Sequence, residues 1–144
     1  MFKLKSDREV WLPVTLPDPD GKTMIRLKVK LITHSQNAAR KHDIIQEQVD
    51  RLRAEAESGA IESAGAMLAK FVAISEALSP EAIDKDIDTL VARITDWQDI
   101  GDEAGAPLPF NPDHLRALLD SATWVVKAVR DAITDLDDNG RVKN

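Results

Sequence analysis

Val10-Trp11-Leu12-Pro13-Val14-Thr15-Leu16, then Pro17-Asp18-Pro19-Asp20-Gly21-Lys22, then Ile25-Arg26-Leu27-Lys28-Val29-Lys30-Leu31, decide the architecture of this chain. In the first run Val10, Leu12, Val14 and Leu16 alternate with Trp11, Pro13 and Thr15. In the third, Ile25, Leu27, Val29 and Leu31 alternate with Arg26, Lys28 and Lys30. Period two sends one set inward and the other to solvent. The Pro/Asp/Gly stretch between them is a turn. The three runs predict a hairpin over about 10–16 and 23–32. Pro13 has no donor for a ladder, so the first strand is placed at an edge. Phe2 and Leu4 alternate with Lys3 and Lys5 and suggest a short added strand. A lone hairpin is marginal in water, so its apolar face has to pack on helices.

Working outward, the period changes at residue 33. Thr33 stands three residues before Gln36, the spacing of a capping box, with Ser35 as an alternative cap. Ala38, His42, Ile45, Val49, Leu52 and Ala56 then recur at spacings of four and three, as on one helical face, with Gly59 as the stop. This heptad-like stripe allows self-association, and an intramolecular helix pair would use it equally well. A second helix is expected over about 61–77, with Ile61, Ala64, Leu68, Phe71, Ser75 and Leu78 as its stripe, widened by Met67, Val72 and Ile74. Ser79-Pro80-Glu81 supplies an N-cap, a proline at the first helical position and an acid at the positive dipole end. A third helix over about 80–94 follows, marked by Ile83, Ile87, Leu90, Val91 and Ile94.

Residues 95–110 read as a connector, too rich in Asp, Gly and Pro to continue the helix. Asn111-Pro112-Asp113 repeats the cap pattern and opens a short helix carrying Leu115, Leu118 and Leu119. Ser121 or Thr123 starts a last helix with Ala122, Val125, Val126, Val129, Ile133 and Leu136 on its apolar side. The fold class is α+β, mostly α: an N-terminal antiparallel β-hairpin packed on a bundle of about five short helices. A chain of 144 residues is about one domain. It is divided here into a hairpin region (1–32), a helical region (33–94), the connector (95–110), C-terminal helices (111–137) and a frayed tail (138–144).

Net charge is −6. Residues 1–32 carry seven Lys/Arg against four Asp/Glu, and residues 33–144 twelve against twenty-one. An acidic body disfavours nucleic acid, because phosphate neutralisation is the main sequence-independent attraction there. The absence of cysteine excludes disulfides and thiolate metal sites. No apolar run approaches the roughly 20 residues of a membrane span, and the N-terminus lacks a signal-peptide apolar core. The chain therefore reads as a soluble protein made and used in the cytoplasm.

Catalytic and metal signatures do not assemble. Asp135-Leu136-Asp137-Asp138-Asn139-Gly140 matches the opening of a calcium loop. The acid that should close that loop would fall beyond Asn144, so helix termination at Asn139 and Gly140 is the preferred reading. Asp96, Asp99, Asp102 and Glu103 read as a solvated acidic loop rather than a ligand set. His34, His42 and His114 are isolated, and no nucleophile elbow or phosphate loop is present. No catalytic residue, metal ligand or cofactor is expected, and the chain is not expected to be an enzyme. Trp124 and Phe71 read as core. Trp97 and Phe110 bracket the connector, and either pin it to the helices or anchor a partner, the first being preferred.

Trp97-Gln98-Asp99-Ile100, the acidic turn from Asp102 to Gly105, Pro107-Leu108-Pro109-Phe110, and Asn111-Pro112-Asp113 with the leucines behind it resemble the C-terminal part of the tail assembly chaperones of long-tailed bacteriophages. The similarity covers about 90–135. It implies a non-enzymatic protein of the host bacterial cytoplasm that binds the phage tape measure protein, helps recruit tail tube subunits around it, and is missing from the finished virion. Many members are also made in a longer, frameshifted form. The helices from 36 to 94 and the 97–110 connector are the expected partner surface, with Trp97, Ile100, Pro107, Pro109 and Phe110 as the partner-binding candidates; charge and hydropathy point to no nucleic acid or membrane partner. The alternatives are a small structural tail or head-completion protein retained in the virion, or a host helical protein-interaction domain.

Overall fold

The computed structural model describes residues 8–59, 63–76 and 80–140, and the side chains within these spans except those of 73–76 and 80–83. The suggested strand at Phe2 and Leu4, the stripe positions Ile61 and Leu78, the cap Ser79 and the last four residues lie outside the described residues. So do the side chains of Ile74, Ser75 and Ile83. The element order is β1 (Glu9–Leu16), β2 (Thr23–Lys30), α1 (His34–Glu57), α2 (Ala64–Glu76), α3 (Pro80–Arg93), β3 (Ile94–Gln98), α4 (Pro112–Asp120) and α5 (Thr123–Asn139). The fold is α+β and mostly α. The chain divides into two compact units: residues 1–32 with 85–144, and residues 33–84.

The first unit is built on the antiparallel sheet β1-β2-β3. β1 and β2 pair from Glu9–Lys30 to Leu16–Thr23, so β1 lies at an edge, where Pro13 needs no ladder donor. The turn between them closes through the Gly21 N–H donating to Asp18 O at 2.9 Å. Strand alternation appears directly in burial. Leu12, Val14, Leu16, Ile25, Leu27 and Val29 are buried, whereas Trp11 and Met24 remain exposed on the other face. Lys28 lies over the Trp11 ring, with Nζ 5.8 Å from its centroid.

β3 corrects the connector that sequence reading places at 95–110. Ile94 does not end a helix. Arg93 closes α3, and the next five residues form a strand against β2 with Leu27 opposite Trp97 and Val29 opposite Ile94. Lys28 faces Asp96, so Thr95 is the extra residue of a β-bulge between the two inward positions. That bulge hides the strand from the sequence. Ile94 and Trp97 both face the core at a spacing of three, which mimics helical periodicity.

The buried face of the sheet packs on α5, whose Val125, Val129, Ile133 and Leu136 join the same core as Leu115 and Leu119 of α4 and Ile87 and Leu90 of α3. The N-cap of α5 is Ala122, with no side-chain cap bond, and not Ser121 or Thr123. Ser121 instead closes α4, its hydroxyl donating to Leu118 O at 2.6 Å. Gly140, at φ 63°, stops α5, as the preferred reading of the Asp/Asn/Gly run anticipates. Trp124 is only partly buried, packed against the core rather than inside it.

One polar contact ties three elements of this unit together. Arg93 donates through Nε to Lys30 O at 2.9 Å, and through both terminal nitrogens to Asp137, at 3.0 and 2.7 Å. The Asp137 side chain is 1% exposed and that of Arg93 11%.

The second unit is a helix pair, α1 with α2. α1 begins with the expected capping box. The Gln36 N–H donates to Thr33 Oγ1 at 3.1 Å, and the Thr33 N–H to Gln36 Oε1 at 2.8 Å. Lys70 of α2 meets Glu55 of α1 at 3.5 Å.

Candidate functional site

The segment between β3 and α4 is a tight hairpin-like loop. Asp99 leads into it at φ 67°, a left-handed conformation that Asp tolerates better than most residues. The two arms then pair: the Leu108 N–H donates to Ile100 O at 2.9 Å, and the Asp102 N–H to Ala106 O at 2.8 Å. Asp102 organises the tip. Its Oδ1 accepts from the N–H groups of Ala104 and Ala106, each at 2.9 Å, as an aspartate does in an Asx-turn. Gly101 sits where the arms approach closely, since a Cβ there would lie 3.2 Å from Ala106 O.

The loop is fastened to the fold by Trp97. Its indole Nε1–H donates to Leu108 O at 2.8 Å, and its ring meets Phe110 edge-on, with centroids 5.3 Å apart at 86°. Beyond Phe110, Asn111 caps α4 through Oδ1, which accepts from the His114 N–H at 2.7 Å. His114 Nδ1 lies 2.7 Å from Pro109 O. The same Nδ1 lies 3.1 Å from Asn111 Nδ2, so the tautomer decides whether it donates to the carbonyl or accepts from the amide. Replacing Asn111 by Ala is expected to cost about 1 kcal/mol. Urea unfolding of the two proteins measures it, and an unchanged midpoint would show the cap to be dispensable.

Of the five partner-binding candidates, then, Trp97 is buried, Ile100 and Phe110 are partly buried against the core, and only Pro107 and Pro109 are exposed. Trp97 stands on β3 and the other four lie in the loop it fastens, with the aromatic pair turned inward. The acids nearby serve the backbone: Asp96 Oδ1 accepts from the Trp97 N–H at 2.8 Å, as Asp102 does at the tip. Among the described residues no three His, Asp or Glu side chains converge as a metal ion requires. No described helix is long and apolar enough to cross a membrane.

A second surface lies on α1 and α2, within the helices that sequence reading offers as part of a partner surface. Phe71, read there as core, is 36% exposed, and Leu68 is 66% exposed. Met67 and Val72 beside them, and Ile44 and Ile45 on α1, are also exposed. These positions on α2 are related by i, i+1, i+4 and i+5, so they form one row along the helix. Periodicity finds an apolar stripe but not what covers it. Among the described side chains, the buried core of the protein takes none from residues 33–84. Monomeric proteins seldom expose a contiguous apolar patch without a role for it.

No family model matches the chain, and neither a curated protein nor a solved structure matches it.

Proposed function

We propose that this protein is a non-enzymatic tail assembly chaperone, which holds an apolar helical segment of a tape measure protein until tail tube subunits enclose it. The observation that carries the reading is the α1–α2 unit. Six large apolar side chains stand exposed on two helices that add no described side chain to the buried core. An amphipathic helix laid on such a surface would bury its own apolar stripe against these side chains. The segment 97–110 supports the reading differently, since its Trp, acidic turn and Pro-Leu-Pro-Phe run carry the resemblance to the chaperone family. A net charge of −6 favours solubility while an apolar client is bound.

Co-expression with the tape measure protein of the same phage or prophage is expected to yield a soluble complex of the two. Phe71→Glu, on an exposed position, is expected to weaken that complex by about 2 kcal/mol or more while leaving the fold of the first unit intact. Titration calorimetry with purified components measures the loss. A tape measure protein equally soluble with and without this chain would sink the proposal. So would the presence of this chain in purified virions, which would make it a structural component.

A further inference from the structure

We infer that the open face of the sheet is a docking surface for an extended, acidic peptide segment of another protein. It lies on the first unit and stands independently of the chaperone reading, which rests on α1 and α2. The alternation that buries Leu12, Leu27 and Val29 sends Trp11, Met24, Arg26, Lys28 and Lys30 to the opposite side. Trp11 is 38% and Met24 45% exposed, and Arg26 and Lys30 are exposed beside them. The register makes these one surface. On β2 the three cations follow at two-residue intervals, about 7 Å apart. Lys28 stands between Trp11 of β1 and Asp96 of β3, and Arg26 between Pro13 and Gln98. Met24 begins the same row, opposite Thr15.

Charge selects the occupant. Lys28 has its own counter-charge, since Glu9 lies 3.6 Å from its Nζ. The side chains of Arg26 and Lys30, on either side of it, have no ion pair or hydrogen bond among the described residues. The chain nevertheless holds 25 acids against 19 basic residues, and Arg93, Arg116 and Arg130 each meet an aspartate. Like charges in a row repel, and carboxylates at the same interval would relieve them. An extended peptide supplies that interval, because its side chains two residues apart fall on one side, also about 7 Å apart. Met24 at the start of the row and Trp11 at its flank give such a peptide an apolar seat, and Trp often dominates a binding surface. A nucleic acid fits less well. It would run its charge past this short row, against a chain of net charge −6.

The probe is a capped peptide with a leucine and then glutamates at alternate positions, serine between them. Its control carries glutamines in place of the glutamates. Both are titrated into the full chain and followed by heteronuclear NMR, where the three tryptophans give separate indole signals and Trp11→Phe assigns one. The glutamate peptide is expected to move the Trp11 indole and the amides of β2, and to bind more weakly as salt is raised. The glutamine peptide should bind at least about tenfold more weakly, and Arg26→Glu with Lys30→Glu should weaken the glutamate peptide by about tenfold or more. Circular dichroism checks that this variant folds, and Arg26→Gln with Lys30→Gln reads the same charge effect if it does not. Phe71→Glu should leave the titration unchanged, so a loss of client binding in that variant bears on the chaperone reading alone. A Trp11 signal that neither peptide moves overturns the inference, as does equal binding of the two. So does a short oligothymidylate that moves the same signals at lower concentration, which makes the face a nucleic-acid surface. A Trp11 signal that moves with protein concentration alone also overturns it, because it gives the face to a second copy of this chain.

Discussion

Arg93→Ala is expected to destabilise the protein by about 3–5 kcal/mol, since it strips the guanidinium from a carboxylate that is 1% exposed. Asp137 sits on α5 inside the unit that carries the core, and Arg93 reaches it from the junction of α3 and β3. The same side chain holds Lys30 O at the end of β2, so its loss opens the sheet and the helix layer together. The mean stability of a small domain is about 5–15 kcal/mol, so this one change should remove a large fraction of it. Thermal and urea unfolding, followed by circular dichroism, measure the loss. Replacing both partners, Arg93→Met with Asp137→Leu, should cost less than Arg93→Ala, because the buried carboxylate is removed together with the guanidinium that faces it. A single variant within about 1 kcal/mol of the parent would mean that water reaches Asp137 and solvates it. The ion pairs of Arg130 with Asp86 and Arg116 with Asp88 offer the contrast. Both are more exposed, and each is worth only about 0–1 kcal/mol.

The Arg93–Asp137 contact also shows what a sequence withholds. Local signals were legible: the β1–β2 hairpin within a residue or two of its ends, the Thr33–Gln36 capping box, the Asn111-Pro112 start of α4 and the Gly140 stop of α5. Each rests on residues close together in the chain, where propensity and hydrogen-bonding chemistry suffice. β3 was lost because a bulge at Thr95 replaced alternation with a spacing of three. Arg93 and Asp137 are 44 residues apart, and nothing local in an arginine at a helix end announces a buried partner. The exposed row on α2 was misplaced for a related reason. Leu68 and Phe71 have the spacing of core residues, yet both are exposed. In the candidate loop the aromatics were read as either anchoring the connector or binding a partner, with anchoring preferred. The choice between those roles depended on Leu108 O, eleven residues from the indole that finds it.

That choice yields the second large effect. Trp97→Ala is expected to cost about 3–5 kcal/mol, the usual range for a large ring removed from a core. The ring is 6% exposed, lies opposite Leu27 in the sheet and meets Phe110 edge-on, so its loss leaves a cavity between β3 and the loop. Trp97→Phe separates two parts of that cost. It keeps most of the apolar volume but leaves Leu108 O without the indole donor, at about 1–2 kcal/mol. Amide hydrogen exchange then locates the damage. In Trp97→Phe the N–H groups of Asp102 and Leu108, which close the loop on Ala106 O and Ile100 O, should exchange faster, while the β1–β2 ladder stays protected. If Trp97→Phe leaves loop exchange and stability unchanged yet abolishes binding of the client helix, the ring is a partner anchor, and the anchoring role argued from its hydrogen bond is wrong. If loop exchange rises and client binding persists, the loop is a brace. The binding surface then belongs to the apolar rows of α1 and α2, where Ile45 and Leu68 are exposed.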